Sequence, residues 1–262
     1  MTEQSDGAGK RGPFAYMREQ WALAGLGGLI GAALSLAIVF GFGMLGLLPG
    51  ASDAHLHDYL MSHPALAIEM QQKAQLDQYV EEQRQQQAAV DKIGLKQYLS
   101  PSVAFVTGPA NAKNTFVEFF DYNCGHCRNT FPTVQKFYNA HKNDTRFAFI
   151  DFPIFGADST AAASASVASR RQGDLFLALH FLLMSEAGSV NADIVRADAE
   201  KAGIDITKLT ADVTDPAVAR TPASAHKLAE DSLSSGTPMF IVNGKVHEGE
   251  ISEAELKTLL KR

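Results

Sequence analysis

The sequence predicts an α/β domain whose mixed sheet is covered by helices, preceded by a membrane-spanning helix and a helical stalk. Three observations predict this arrangement. A long uncharged stretch lies near the N-terminus, a glutamine-rich helical segment follows it, and strand-like runs begin only near residue 100. Those runs form two groups on either side of a stretch with helical pattern, which is typical of a sheet layered with helices. The domain therefore carries a helical insertion, at about residues 158–234.

The N-terminal region is predicted to hold a transmembrane anchor. No charged residue occurs from Trp21 to Leu48, and as a helix this stretch would extend about 42 Å, beyond the roughly 30 Å of a hydrocarbon core. It is also longer than the apolar part of a cleaved signal peptide. Lys10 and Arg11 precede it and Asp53 follows it. This charge bias predicts a single-pass protein of the bacterial inner membrane, with residues 1–20 as a cytoplasmic tail, residues 21–48 as the membrane contact and the remainder in the periplasm.

Residues 49–99 are predicted to form a helical stalk. The segment is polar and rich in glutamine, and Ser62 followed by Pro64 favours a helix start. Its apolar residues recur at loosely helical spacing, too irregular for a coiled coil. The stalk is either a spacer or an oligomerisation segment, so a homo-oligomer formed through it stays open as an alternative. We interpret His55, His57 and His63 as solvated side chains.

Residues 100–262 are predicted to form one folded domain. Its helical insertion is broken at glycines and at Asp215-Pro216, an Asn243-Gly244 turn joins the last two strands, and a capping box at Ser252 begins the last helix. The predicted elements are strands 103–106, 115–120 and 147–152, helix 129–141, the insertion 158–234, strands 239–242 and 245–248, and helix 252–260.

The chain has two cysteines, which lie together in Cys124-Gly125-His126-Cys127 directly after a strand-like run. A Cys-x-x-Cys pair in that position is typical of a dithiol that cycles between thiols and a disulfide. Structural zinc needs four protein ligands, and neither a second such pair nor a spaced histidine pair follows in the sequence. We therefore predict no metal and no cofactor beyond the redox-active Cys124–Cys127 disulfide. The alternative from another class is a non-catalytic module, either chaperone-like or holding Cu(I) through both thiols and a nearby histidine.

Each residue around the pair has a predicted role. Cys124, at the start of the helix, would be the nucleophile, because the free N–H groups there stabilise a thiolate. Cys127, one turn further on, would be the resolving thiol. Protonated His126 would stabilise the Cys124 thiolate further, which makes the disulfide a good oxidant. Glu118 would share a buried strand face with two phenylalanines, where burial raises the pKa of its carboxyl so that it relays a proton for Cys127.

A second motif, Gly236-Thr237-Pro238, opens an apolar strand far along the chain. Proline is tolerated there at a sheet edge or in a cis bond. The backbone of Thr237 would then be free to pair with an extended substrate chain as an added strand.

Phe119-Phe120 leading into Cys-x-His-Cys, the distant Gly-Thr-Pro, and the stretch Phe152–Gly156 together resemble a known family. The resemblance is to the thioredoxin-fold thiol–disulfide oxidoreductases of the DsbA class. It is closest to variants with an N-terminal helical extension, such as the suppressor-of-copper-sensitivity and Com1-like proteins. It covers roughly residues 100–262. It implies a thioredoxin fold, a cis Thr237–Pro238 bond packed against the dithiol, and Glu118 as the buried acid beneath it.

The resemblance implies an enzyme that forms disulfides in exported proteins by dithiol exchange. Client proteins would be held through a transient mixed disulfide at Cys124, and an unidentified membrane redox partner would reoxidise the dithiol. Gly125-His126 and Thr237 are similar to the isomerase branch instead, so an oligomeric isomerase or reductase of the same fold is the alternative. Nucleic acid is excluded as a partner, since the net charge is −6 and the sequence has no long basic run.

Overall fold

The computed structural model of the protein describes residues 34–42, 44 and 53–261. The chain divides after Asp77 into two compact units. The described helices with assigned bounds are α1 (Asp53–Ser62), α2 (Pro64–Ile93), α3 (Leu95–Tyr98), α4 (Gly125–His141), α5 (Ala157–Ser169), α6 (Leu175–Ser185), α7 (Ala192–Lys201), α8 (Ile206–Val213), α9 (Pro216–Asp231) and α10 (Glu253–Leu260), with a 3₁₀ turn at Arg170–Gln172. The strands are β1 (Phe105–Thr107), β2 (Asn114–Phe120), β3 (Thr145–Asp151), β4 (Met239–Val242) and β5 (Lys245–Glu248).

The first unit contains helix α1 and the start of helix α2, within the predicted stalk. Helix α1 ends at Ser62, whose hydroxyl donates to the Asp58 carbonyl at 2.8 Å. Pro64 takes the first position of α2, where its missing N–H leaves no helical bond unmade. Large apolar side chains on these two helices are exposed: Leu56, Tyr59, Met61, Ile68, Met70 and Leu76.

Among the residues that the structure describes, no helix is both long enough and apolar enough to cross a membrane. Helix α2 has the length, with 30 residues, but glutamine and charged side chains occur throughout it. This finding contradicts the predicted localisation in the bacterial inner membrane with a periplasmic domain. Of the predicted anchor, residues 34–42 and 44 are helical, whereas residues 21–33, 43 and 45–48 lie outside the described residues, as does the predicted tail at 1–20.

A five-stranded mixed sheet forms the centre of the second unit, in the order β1-β3-β2-β4-β5. Strands β2 and β3 are parallel, and the other neighbours are antiparallel. In this register Glu118 of β2 lies between Phe149 of β3 and Phe240 of β4. The sheet with its covering helices confirms the predicted α/β class.

Alternate residues of β2 face two separate hydrophobic cores. Phe116 and Phe120 point into one core together with the two cysteines and helices of the insertion. Val117 and Phe119 point into the other core, which helices α2, α3 and α9 complete. Val90 and Tyr98 belong to this second core and are 2% and 0% exposed. Residues upstream of the predicted domain start at 100 therefore complete the second core. Without them, the apolar face that β2 and β4 present to this core would be open to water.

The same stretch of α2 also covers the outer edge of the sheet. The Gln87 amide donates to the Gly244 carbonyl at 2.8 Å and its oxygen accepts from the Val246 N–H at 3.1 Å, as a neighbouring strand would. Gln86 is buried and donates to Glu248 and to the Leu233 carbonyl. These bonds satisfy the backbone groups that an edge strand otherwise leaves unpaired.

The insertion fills residues 157–231, close to the predicted 158–234. Asn191, Asp205 and Asp215 cap helices α7, α8 and α9, each accepting from a backbone N–H of the first turn. A buried ion pair connects the insertion to the sheet: Arg170 donates to the Asp151 carboxylate at 2.5 Å, and the two side chains are 11% and 1% exposed.

Several boundaries differ from the prediction by a few residues, and two of the differences have a clear local cause. Strand β1 begins at Phe105 rather than at 103, because the Val103 and Ala104 amides both donate to the Ser100 carbonyl in a turn. Helix α4 begins at Gly125 rather than at 129, because Cys124 takes the N-cap position with extended backbone. Cysteine is not among the residues that favour this position, so the only signal for the earlier start was the role expected of Cys124 at a helix N-terminus.

The core contact of Tyr98 gives a first prediction. Its hydroxyl is 2.7 Å from the buried Ser232 hydroxyl, so Tyr98→Phe should lower the free energy of unfolding by about 1 kcal/mol while keeping the ring packing. Urea denaturation at neutral pH measures this. Tyr79→Phe is the matched control, because the Tyr79 side chain is 58% exposed. Equal effects of the two substitutions would contradict the assignment.

Candidate active site

The two cysteines lie where strand β2 passes into helix α4. The turn that joins β2 to α4 is closed by a hydrogen bond of 3.1 Å from the Cys124 N–H to the Asp121 carbonyl. Cys124 is the N-cap of α4, so its side chain lies next to the unpaired N–H groups of the first helical turn. Both cysteines are free thiols, with exposed fractions of 2% for Cys124 and 0% for Cys127.

The surroundings of Cys124 stabilise its thiolate. The pKa of this thiol is lowered to about 5, first of all by a hydrogen bond from the Cys127 thiol. Thr237 and the backbone N–H groups of Cys127 and His126 lower this pKa further, while burial opposes them. A helix terminus alone contributes about 0.3–1 kcal/mol, less than one pH unit. Direct hydrogen bonds therefore supply most of the stabilisation.

Cys127 has the opposite surroundings. Burial raises the pKa of its thiol well above the ordinary value, and the neighbouring Cys124 and Glu118 raise it further. Cys127 therefore keeps its proton when Cys124 is ionised, and that proton is the one that bonds to the Cys124 sulfur. The reduced pair carries a single negative charge, on Cys124.

The imidazole of His126 bonds to a residue that the sequence did not indicate. Its Nδ1 lies 2.8 Å from Glu250 Oε1, and the two side chains are 73% and 46% exposed. This hydrogen bond raises the pKa of His126, and the same bond lowers the pKa of Glu250. The group of His126 that bonds to the Cys124 sulfur is its backbone N–H. The sequence analysis expected the protonated ring to stabilise the thiolate through its charge, and the charge of Cys124 does act on the ring.

Glu118 lies beneath the dithiol, in the middle of strand β2. Its side chain is 1% exposed, on the face that it shares with Phe116 and Phe120. Burial raises the pKa of its carboxyl to about 8. Its Oε2 has no hydrogen-bond partner among the described residues. Glu118 is within electrostatic reach of the buried Cys127 thiol, because its ionised form would raise the pKa of that thiol. Its own raised pKa means that the carboxyl holds a proton at neutral pH.

The Gly236–Pro238 loop lies across the Cys124 sulfur. The Thr237–Pro238 peptide bond is cis, as the resemblance implies. When it is protonated, the Cys124 thiol donates to the Thr237 carbonyl, which lies 3.2 Å from the sulfur. Ile154 lies against Gly236 beside the loop, and its side chain is 39% exposed. The structure thus brings Cys124, Cys127, Thr237 and Pro238 together.

Asp121 holds the cysteine turn to the neighbouring loop, and the sequence analysis did not single it out. Its carboxylate accepts four hydrogen bonds of 2.7–3.0 Å, from the N–H groups of Asn123, Ile154 and Phe155 and from the Ser159 hydroxyl. An aspartate directly after a strand is the available signal, because such side chains commonly bond to backbone in turns.

Asn123 connects the cysteine turn to the insertion and was also missed. Its side chain accepts from the Val190 N–H at 2.8 Å and donates to the Val190 carbonyl at 3.1 Å, which reproduces a pair of backbone hydrogen bonds. Arg128, in the first turn of α4, donates to the Gly188 carbonyl of the same loop. The insertion is therefore fixed at the rim of the site.

Among the described residues, no group of three or more His, Cys, Asp or Glu side chains is arranged to hold a metal ion. The arrangement that is present suits a different chemistry. One sulfur is held as an anion, a second thiol one helical turn away is held protonated, and a carboxyl with a raised pKa lies beneath them. These are the parts that a thiol needs in order to attack a disulfide, or to leave from one.

Chemistry of this kind, on a mixed sheet covered by helices, is that of a thiol–disulfide oxidoreductase. The family model for the DSBA-like thioredoxin domain matches residues 115–261, more than half of the chain. The chain belongs to this family of DsbA-like thioredoxin domains, and it is a thiol–disulfide oxidoreductase with a thioredoxin-like fold.

Solved structures show the same fold. BcfH of Salmonella enterica Typhimurium is 26% identical, with a TM-score of 0.66, and the match covers 88% of this chain and 98% of that one. A thioredoxin-like oxidoreductase from Silicibacter pomeroyi is 32% identical, with a TM-score of 0.60, over 64% of this chain and 96% of that one. The ScsC protein of Proteus mirabilis, in a linker-deletion form, is 21% identical with a TM-score of 0.60 and covers 82% of this chain and 95% of its own. At that identity it supports the fold alone.

Curated sequences that match are larger proteins. The Na(+)/H(+) antiporter NhaA 1 of Salinispora arenicola is 30% identical over 153 residues, which is 58% of this chain but 23% of the antiporter. The match to NhaA 3 of Salinispora tropica has the same proportions. The chain thus spans about a quarter of the length of these relatives, and antiport is the activity stated of them.

Proposed function

We propose that this protein forms disulfides in client proteins by passing on the disulfide of Cys124 and Cys127. A client thiolate would attack the Cys124 sulfur, and the Cys127 sulfur would leave with the electron pair and take up a proton. A second client thiolate would attack the client sulfur of the mixed disulfide and release Cys124 as a thiolate. Two electrons pass from the client to the enzyme, and a separate redox partner would have to remove them.

The stabilised thiolate of Cys124 is the observation that carries this proposal. With a pKa of about 5 instead of about 8.5, the reduced enzyme gains about 2.7 kcal/mol at pH 7, equivalent to about 60 mV in the reduction potential. A more stable reduced form makes the disulfide a stronger oxidant. The direction that this stabilisation favours is oxidation of the client.

We assign Glu118 the role of donating a proton to Cys127 as the Cys127 sulfur leaves. Cys127 leaves as an anion in a site where burial disfavours the anion. The Glu118 carboxyl is protonated at neutral pH, buried, and within electrostatic reach of that sulfur. It is therefore suited to protonate Cys127 during client oxidation and to take the proton back when the disulfide is restored.

Thr237 is assigned to hold the client backbone. Its carbonyl lies 3.2 Å from the reacting sulfur and Thr237 itself is partly exposed. An extended client segment paired there would bring its own cysteine to Cys124. The partly exposed Ile154 side chain lies beside this position and would contact an apolar client side chain.

The test is to trap the mixed disulfide. Cys127→Ala removes the resolving thiol, so client proteins should accumulate in a covalent complex with Cys124 that dithiothreitol releases. Non-reducing electrophoresis with mass spectrometry identifies the complexes. The matched control is the double variant Cys124→Ala, Cys127→Ala, which should trap nothing. Equal yields from the two variants, or no complex from the first, would refute the proposal.

A second candidate is an oligomeric isomerase or reductase. Two observations favour it: the His126 ring bonds to Glu250 instead of to the sulfur, and apolar side chains of α1 and α2 are exposed where a second copy could cover them. Light scattering of the full chain and refolding of a scrambled-disulfide substrate test this candidate. A monomer that oxidises reduced substrate but does not rescue scrambled substrate is expected if oxidation is the function.

A further inference from the structure

Glu250 lies in a short segment that joins the two halves of the active site. On one side of it, the Gly249 N–H donates to the Pro238 carbonyl at 2.8 Å. On the other side, the Ile251 N–H donates to the Thr130 hydroxyl and that hydroxyl donates back to the Ile251 carbonyl, both at 3.1 Å. The segment is therefore bonded to the proline loop and to helix α4, and Glu250 is held between them.

The Glu250 side chain reaches the first turn of α4. Its Oε1 accepts from His126 Nδ1 at 2.8 Å and from Asn129 Nδ2 at 3.1 Å. Asn129 is neutral, so its bond positions the Glu250 carboxylate without offsetting the charge of the carboxylate. The bond holds the carboxylate next to His126, in the first turn of α4. The His126 imidazole is therefore bonded to Glu250, while the backbone N–H of His126 is bonded to the Cys124 sulfur.

We propose that Glu250 is a positioning residue that binds the His126 imidazole and neutralises its charge, which limits how oxidising the disulfide is. The proposal rests on the oxidoreductase chemistry assigned above and concerns its strength. A free imidazolium two residues after Cys124 would stabilise the thiolate, and a neutral ion pair stabilises it less.

The sign follows from the charges present where Cys124 titrates. Near pH 5 the Glu250 carboxyl is ionised, since the bond to His126 lowers its pKa, and His126 is protonated. The wild-type pair is then neutral. With glutamine at position 250 the imidazolium charge is unopposed, because His126 has an ordinary pKa of about 6.5 even without a partner. The titratable groups on either side are Cys124, whose charge acts on the His126 ring, and His247, whose ring bonds to the Glu250 carbonyl at 2.9 Å.

The experiment is the pH dependence of Cys124 alkylation by iodoacetamide in the full reduced chain. Glu250→Gln should lower the midpoint by about half a pH unit, the size of effect that an exposed charge pair gives. It should also shift the equilibrium with glutathione toward the reduced enzyme about threefold at pH 6. Glu253→Gln is the matched control. Glu253 pairs with Lys136 at 2.5 Å with similar exposure, but without contact to His126, so its midpoint should stay at the wild-type value.

A His126→Asn background separates positioning from a direct charge effect. If Glu250 acts through His126, adding Glu250→Gln to His126→Asn should leave the midpoint almost unchanged. An unchanged or raised midpoint in Glu250→Gln overturns the proposal, and so does an equal decrease in both backgrounds. Neither result depends on client trapping by Cys127→Ala, so the failure of this proposal and the failure of the proposed function are distinguishable.

Discussion

Glu118→Gln should make the reduced protein more stable than wild type, by a margin that grows from pH 5 to pH 8. The Glu118 carboxyl has a folded pKa of about 8 against 4.5 for the free group. A carboxyl whose folded pKa is raised contributes stability that is fully present below the unfolded pKa and is lost as pH rises through the folded pKa. At pH 7 the unfolded chain has released a proton that the folded protein retains, which costs about 3 kcal/mol. Glutamine carries no such cost.

Urea denaturation under reducing conditions, repeated across this pH range, measures the margin. Cys124 also contributes a pH-dependent stability, but it does so in both proteins, and the difference between them isolates Glu118. Glu253→Gln, an exposed carboxylate, is the control and should show no growing margin. Parallel stability curves for Glu118→Gln and wild type would show that the buried carboxyl is not protonated in the folded state.

The same substitution should slow disulfide exchange, since an amide cannot deliver a proton to Cys127. General acid–base catalysis typically contributes at least about 10²-fold, and a loss of that order in the rate of client oxidation is expected. A gain in stability together with a loss of rate would identify Glu118 as a group retained for catalysis at the expense of stability.

Cys124 should react with iodoacetamide with a half-maximal rate near pH 5. At pH 6 an ordinary thiol is less than about 1% ionised, whereas Cys124 would be mostly thiolate, an advantage of about 10² in reactive fraction. Cys127 should stay unmodified until the protein unfolds, because its thiol is buried and its pKa is raised. Mass spectrometry of the alkylated protein assigns the two sites separately.

The hydrogen bond from the Cys127 thiol is the largest stabilisation of the Cys124 thiolate. A variant without that thiol is therefore the control for the alkylation experiment. In Cys127→Ala the midpoint for Cys124 should move up, toward that of an ordinary thiol, while the helix N–H groups remain. A midpoint near pH 8.5 in the folded wild-type protein would contradict the assignment of Cys124 as the stabilised nucleophile.

Local patterns in the sequence were sufficient to predict the strands of the sheet, the approximate span of the insertion and the motifs that form most of the site. The alternation along β2 placed Glu118 on the same buried face as Phe116 and Phe120, where the structure has it. The Cys-x-x-Cys pair and the distant Gly-Thr-Pro are short motifs whose chemistry can be inferred without knowledge of the contacts between them. The structure then shows those contacts, with the Thr237 carbonyl at the Cys124 sulfur.

Glu250 could not be predicted in this way. It lies more than a hundred residues after His126, in a loop without a motif, and nothing local distinguishes it from the other acidic residues near the C-terminus. Its role depends on a tertiary contact, the bond between its carboxylate and the His126 ring. Asp121 and Asn123 differ, because aspartate and asparagine after a strand do carry a local turn signal.

The covering of β5 by α2 has a practical consequence for work with shortened versions of the chain. A protein beginning at residue 100 would lack Gln87, and the outer strand could recruit the strand of another molecule. It would also lack Val90 and Tyr98, which leaves Phe119 and its neighbours uncovered. Aggregation of such a protein would reflect the position of the cut and not an inability of the catalytic unit to fold. Starting upstream of Gln86 keeps the edge sealed and the apolar face closed.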